Sequence, residues 1–65
     1  MTNLEAIHRL EEKRDYVLRK AAENVAAGRS DRWQQCDAEA FDAAIAALTY
    51  LDAVQEYEAS QVPRA

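Results

Sequence analysis

Apolar residues recur along this chain at the three- and four-residue spacing of α-helices, in two segments separated by a short polar stretch. The pattern predicts one helix over about residues 3–28 and a second over about 31–60, with no strand. Because the linker has only about three or four residues, the helices must lie side by side in opposite directions. The predicted fold class is therefore all-α, an antiparallel two-helix hairpin.

Residues that favour helix ends lie at the predicted helix boundaries. Thr2 is followed three residues later by a glutamate, which is the spacing of a capping box at the start of a helix. Gly28 is the only glycine in the chain and is placed where a helix needs a left-handed cap. Either Ser30 or Asp31 is suited to cap the second helix.

We expect residues 1–65 to form a single domain, because no repeat, linker or low-complexity segment divides the chain. Pro63 marks the end of the second helix, and residues 61–65 are predicted to be a frayed tail.

The second predicted helix has two apolar stripes when it is wound at about 100° per residue. The alanine stripe contains Cys36, Ala40, Ala43, Ala47, Tyr50 and Val54. The bulky stripe contains Trp33, Phe41, Ala44, Ile45, Leu48 and Leu51. Small side chains allow close approach, so we expect the alanine stripe to pack against the first helix. The bulky stripe then needs a second partner, and we predict a subunit interface formed by Phe41, Ile45, Leu48 and Leu51.

The size of the chain also favours self-association. A chain of 65 residues is marginal as a monomer, and disulfides, metals or oligomerisation are the usual remedies. One cysteine and one histidine provide neither an internal disulfide nor a structural zinc site. Glu39 and Asp42 are spaced like metal-binding carboxylates but lack the Glu-x-x-His pattern of di-metal bundles. We therefore predict no metal and no cofactor, and a homo-oligomeric helical bundle.

Charged residues interrupt the apolar arc of the first helix. The apolar members of this arc are Leu4, Ile7, Leu10, Val17, Leu18, Ala21, Ala22 and Val25. Glu11 and Arg14 project from the middle of the arc and are three residues apart, so they are expected to pair along the helix. One interpretation is an ion pair at the helix seam that fixes the register. The other is that Arg14 faces a cavity between subunits and binds an anionic ligand.

The two predicted helices differ strongly in charge. Residues 1–30 carry six bases and five acids, whereas residues 33–62 carry six acids and no Lys or Arg. An acidic half-chain argues against DNA binding, which needs a basic face. Any anion site must therefore draw its cations from the first helix and the turn. The candidate ligand-binding residues are Arg9, Lys13, Arg14, Arg32 and Trp33, although solvated charges on a helix face are the alternative for each cation.

The sequence offers little catalytic machinery. His8 has no serine or cysteine placed by local spacing to form a nucleophile pair, and no glycine-rich phosphate loop is present. Cys36 is expected to pack as a small apolar side chain. We predict that the protein is not an enzyme. Neither a membrane-spanning segment nor a signal peptide is recognisable, so the expected location is the cytoplasm.

The residues around the turn resemble those of a known group of proteins. Arg32-Trp33 followed by Phe41, Ala44-Ile45 and Ala47-Leu48 resembles the second helix of small helical-hairpin proteins of phages. That family includes oligomeric sponges that sequester cyclic-nucleotide or cyclic ADP-ribose-type messengers and so block the CBASS and Thoeris defence systems. The resemblance covers about half of the chain. It implies a non-enzymatic anti-defence protein of the host cytoplasm that binds an anionic messenger.

A weaker resemblance points to a protein partner instead. Residues 1–5, the Gly28 turn and residues 40–50 are similar to the small co-chaperones of type III secretion needle subunits, which are also helical hairpins. This resemblance implies that the acidic second helix docks onto a secretion chaperone. In length and architecture the chain is also similar to the RNA-binding hairpin dimer that controls plasmid copy number, which we rank third.

Overall fold

The computed structural model describes residues 1–61, which form two helices and no strand. Helix α1 comprises Asn3–Ala26 and helix α2 comprises Arg32–Gln61. The helices contact each other along their length, which confirms the predicted all-α hairpin. Neither helix has the combination of length and apolarity that a membrane crossing requires. Of the predicted tail, residues 61–65, Gln61 belongs to α2, and residues 62–65, including Pro63, lie outside the described residues.

Helix α1 begins at the predicted cap. Thr2 has an extended backbone (φ −79°, ψ 166°), and its Oγ1 accepts a hydrogen bond from the Glu5 N–H at 3.1 Å. This bond pairs one of the N–H groups that the first turn leaves without an intrahelical acceptor. A local sequence signal is therefore sufficient to place the start of α1.

The turn between the helices is built on Gly28, the only described residue with a positive φ (+74°). The Gly28 N–H bonds to the Val25 carbonyl at 3.0 Å, and the Arg29 N–H bonds to the Asn24 carbonyl at 2.7 Å. These two bonds define a Schellman motif, which ends α1 two residues before the predicted boundary. The Arg29 side chain also donates to Asn24 Oδ1 at 3.1 Å, and Ser30 Oγ accepts from the Arg32 N–H at 3.2 Å. The turn is thus closed by short-range bonds.

The seam between the helices has a heptad spacing on both sides. The seam positions of α1, all buried or half-buried, are Asn3, Ile7, Leu10, Arg14, Val17, Ala21 and Asn24. Those of α2 are Gln34, Ala38, Phe41, Ile45, Leu48 and Asp52. Hydrogen bonds from Asn3 Nδ2 to Gln55 Oε1 (2.9 Å) and from Arg14 Nη1 to Asp42 Oδ1 (3.0 Å) fix the register. In this register Ile7 lies at the level of Leu48, and Leu10 at the level of Ile45.

The structure reverses the predicted roles of the two stripes of α2. Phe41, Ile45 and Leu48 of the bulky stripe are half-buried in the seam, whereas the alanine stripe is largely exposed. The prediction that the alanine stripe packs against α1 is therefore wrong. The larger side chains fill the seam because they match the heptad positions of α1 and bury more apolar area per contact. Of the four residues predicted at the subunit interface, Leu51 is exposed (42%), and the other three are half-buried in the seam.

The hairpin has a very small core. Only Ala21 (2% exposed) and Ala38 (4%) are buried among the described residues, and no large side chain is fully buried. The accessible surface is 5331 Å², whereas a globular monomer of this mass exposes about 4,200 Å². The radius of gyration is 16.8 Å, compared with about 11 Å for a compact domain of this length. The hairpin is therefore a rod with an excess of exposed surface.

Candidate interaction surface

A second heptad row runs along the side of α2 that faces away from α1. We call it the outer stripe, and it consists of the alanine stripe extended at both ends, namely Trp33, Cys36, Ala40, Ala43, Ala47, Tyr50, Val54 and Tyr57. The spacing alternates between three and four residues without a break, as in the contact row of a coiled coil. None of the eight side chains is charged. The row is about 36 Å long at 1.5 Å per residue.

The outer stripe is open to solvent. Trp33 is 78% exposed, Tyr50 is 74% exposed and Tyr57 is 67% exposed, and Cys36 and the three alanines are exposed as well. The prediction that Cys36 packs as a small apolar side chain is thus wrong for the single hairpin, in which Cys36 is exposed. An exposed apolar row of this length is typical of a protein contact surface. Aromatic residues are enriched in the buried centres of such surfaces.

A smaller apolar row on α1 is less suited to bind a partner. It consists of Leu4, Leu18 and Val25, which are 58%, 39% and 59% exposed. The same row also contains Glu11, which lies between Leu4 and Leu18. A carboxylate in the middle of the row would lose its hydration if the row were covered. The outer stripe is therefore the larger continuous apolar surface.

Arg14 interrupts the seam as predicted, but its partner differs from the predicted one. Its guanidinium donates to Asp42 Oδ1 at 3.0 Å and to Asp15 Oδ1 at 3.4 Å, while Glu11 lies 3.8 Å from His8 Nδ1. The hydrogen bond with Asp42 raises the pKa of Arg14 above its ordinary value. The predicted Arg14–Glu11 pair is not formed, because the seam brings the carboxylate of α2 closer to the guanidinium. With two carboxylates around it, Arg14 is a poor candidate to bind an anion.

The other candidate ligand-binding residues are not gathered into one site. Arg9 and Lys13 are exposed, lie one turn apart on α1, and form no ion pair within residues 1–61. Arg32 and Trp33 lie at the turn, and Arg32 is about 14 Å along the rod axis from the level of Arg14. No cavity opens anywhere in the described part of the chain. A single hairpin therefore does not enclose a small ligand.

The described residues contain no cluster of three or more side chains suited to a metal ion. His8 is largely exposed, and its Nδ1 lies 3.8 Å from Glu11 Oε1. Lys20 lies 5.5 Å from the ring centroid of Tyr16 and 3.2 Å from Glu23 Oε2. These contacts are typical of solvated helix faces.

The sequence interpretation missed the two ends of the outer stripe and, apart from Arg14, the polar residues of the seam. The sequence interpretation groups Trp33 with the bulky stripe and places Tyr57 only at the edge of a stripe, although both continue the three–four spacing of the alanines. The same spacing applied to both helices also identifies Asn3 and Asp52 as seam positions. A strict heptad search, in place of an apolar arc, finds all of these residues.

No family model, curated protein or solved structure matches the chain. The class of molecule is therefore given by its geometry, which is that of a small antiparallel helical hairpin with one long exposed apolar face.

Proposed function

We propose that this protein acts without catalysis, as an interaction module that is active in an assembly of helical hairpins. The observation that carries this proposal is the outer stripe, with eight uncharged residues in unbroken heptad spacing on the face of α2 opposite the seam. An isolated hairpin leaves Trp33, Tyr50 and Tyr57 in water. Covering them with another protein recovers hydrophobic free energy that the hairpin alone does not gain.

The shape of the surface favours a helix as its partner. The row is long, straight and one heptad stripe wide, and no cavity adjoins it. A helix that lies along such a row inserts its own side chains between those of the stripe. The proposed binding mode is therefore helix against helix.

Sequestration of an anionic messenger, as the phage resemblance implies, is a second proposal within such an assembly. The observation that favours it is the pair Arg9 and Lys13, two exposed cations one turn apart that form no ion pair within residues 1–61. Two cations one turn apart on a helix are able to hold one phosphate group between them by charge-assisted hydrogen bonds. The protein would then act in the cytoplasm of an infected host cell.

The proposed interaction surface is tested with Ala43→Arg, which places a charge at the middle of the outer stripe. We expect the variant to remain helical by circular dichroism and to lose association in sedimentation equilibrium, because burial of an unpaired guanidinium is costly. Ala22→Arg is the matched control, since Ala22 is an exposed alanine on α1. Association of Ala43→Arg at the strength of the wild type would contradict the proposal.

Messenger binding is tested by calorimetry with a cyclic dinucleotide and with cyclic ADP-ribose. We expect the double variant Arg9→Ala/Lys13→Ala to lose binding and Arg19→Ala, which removes another exposed cation of α1, to retain it. Equal binding by all three proteins would place the site elsewhere. The co-chaperone alternative predicts instead a wild type that is monomeric alone and forms a defined heteromer with a secretion chaperone.

A further inference from the structure

We infer that the occupant of the outer stripe is the outer stripe of a second copy of this chain, in antiparallel orientation. This inference rests on the proposal that the outer stripe is an interaction surface, and it adds the partner and the register. The two-fold axis passes between Ala43 and Ala47, at the middle of the row. In this register Ala43 faces Ala47 of the other copy, and Trp33 faces Tyr57.

The order of side-chain sizes along the outer stripe favours this orientation. Alanines occupy the middle of the row, and aromatic residues occupy both ends. Antiparallel pairing places Tyr50 opposite Ala40, so that a large side chain meets a small one. In parallel pairing each residue would meet its own counterpart, which gives three consecutive alanine pairs followed by two tyrosine pairs. A single distance between the helix axes cannot fit both the alanine pairs and the tyrosine pairs.

The same register places Cys36 opposite Val54. The two copies come closest at the alanines and diverge gradually toward the aromatic ends, as expected for two straight helices that cross at their middle. The seam with α1 is untouched, because the outer stripe lies on the other side of α2. The result is a four-helix assembly with the two α2 helices at its centre.

The acidity of α2 does not oppose this pairing. On one side of the outer stripe the nearest flanking residue of the other copy to Asp37 is Leu51, which lies about 3 Å from its level along the axis. On the other side the nearest flanking residue to Glu39 is Ala53, at a similar offset. No carboxylate that flanks the row is therefore placed directly opposite another one, and like-charge contacts across the interface are avoided.

The area of the outer stripe is sufficient for a specific dimer. Trp33, Tyr50 and Tyr57 are 78%, 74% and 67% exposed, which leaves about 150 Å² of each available for burial. Two copies provide about 900 Å² from these aromatics alone, and Val54 and the alanines add to this total. Specific interfaces bury about 1,000 Å² or more.

A cysteine pair tests the register directly, because the chain has one native thiol. Val54→Cys places a second thiol opposite Cys36 of the other copy, and mild oxidation should give a covalent dimer. Oxidised wild type should remain uncrosslinked, since the two Cys36 residues are about 27 Å apart along the axis in this register, beyond the reach of a disulfide. Ala53→Cys is the matched control, because its thiol is turned about 100° away from the row.

A second variant reports on the two-fold axis without altering the outer stripe at position 54. In Cys36→Ala/Ala46→Cys the only thiol lies beside the outer stripe and close to the two-fold axis. The thiols at position 46 of the two copies are therefore neighbours. A short bismaleimide should join the two copies in high yield. In a parallel dimer the same two thiols would lie on opposite sides of the interface and would not be joined.

The outcomes separate the register from the proposed function. Crosslinking of Val54→Cys and of Cys36→Ala/Ala46→Cys, with none in Ala53→Cys, is the expected result. Efficient oxidation of the wild type through Cys36 would overturn the antiparallel orientation and leave the outer stripe as an interface. A wild type that sediments as a monomer would overturn the inference, whereas the interaction surface itself fails only if Ala43→Arg leaves every association unchanged.

Discussion

Arg14 and Asp42 form the only ion pair between the two helices within residues 1–61, with 3.0 Å between Nη1 and Oδ1. Arg14 occupies a seam position at the level of Phe41, where an apolar residue would continue the row. Pairs that are open to solvent contribute little to stability, but a polar residue at one seam position can specify the register of a coiled coil. The pair therefore sets how the helices align more than how tightly they pack.

Arg14→Leu is predicted to raise the melting temperature of the hairpin. Leucine continues the apolar seam and has a helix propensity close to that of arginine, while the exposed pair that it replaces contributes little. Thermal unfolding followed by circular dichroism measures the change, with Arg19→Leu on an exposed face as the control. A lower melting temperature for Arg14→Leu would mean that the Asp42 pair stabilises the hairpin more than apolar packing does.

Phe41→Ala is predicted to destabilise the hairpin by about 2 kcal/mol, less than the cost of about 3–5 kcal/mol at fully buried sites. Phe41 is half-buried in the seam and is its only aromatic residue. Urea denaturation at a protein concentration below that of association measures this loss. Glu12→Gln, an exposed change on α1, should leave the midpoint unchanged. If Phe41→Ala left the midpoint unchanged too, the seam assignment would be wrong.

Gly28→Ala is predicted to cost about 1 kcal/mol, because an alanine has to adopt the left-handed conformation that ends α1. Gly28 has φ +74°, and a Cβ at this position would meet no atom within 4 Å. The cost is therefore conformational and not steric. Gly28→Asn should be less destabilising than Gly28→Ala in the same denaturation experiment, since asparagine tolerates this conformation better. The reverse order would point to a contact of the side chain.

The reactivity of Cys36 is predicted to fall as the protein concentration rises. The thiol is exposed in the single hairpin and lies on the outer stripe, so association should cover it. Labelling with a thiol reagent over a dilution series measures the protection. Ala43→Arg should be labelled at the same rate at every concentration. A wild-type rate that does not depend on concentration would exclude burial of Cys36 by self-association.

The candidate surface could be predicted from the sequence only in part. The positions of six outer-stripe residues, from Cys36 to Val54, follow from the helical period and were grouped correctly as one stripe. The neighbour of that stripe was assigned wrongly, because α2 has two apolar rows with the same heptad spacing. Periodicity within one helix does not show which of the two rows packs against the other helix. The row that packs in the hairpin is selected by the complementary row on α1.

The sequence by itself determined the two helices, their caps at Thr2 and the turn at Gly28, because these features depend on interactions within a few residues. Only the tertiary structure decided which face of α2 is covered and which partner Arg14 finds. Asp42 is 28 residues from Arg14 in the chain, and the spacing of residues within one helix does not predict a contact between residues so far apart. Helix α1 packs against the row of α2 that complements its own seam residues. The other apolar row of α2 remains exposed as the outer stripe.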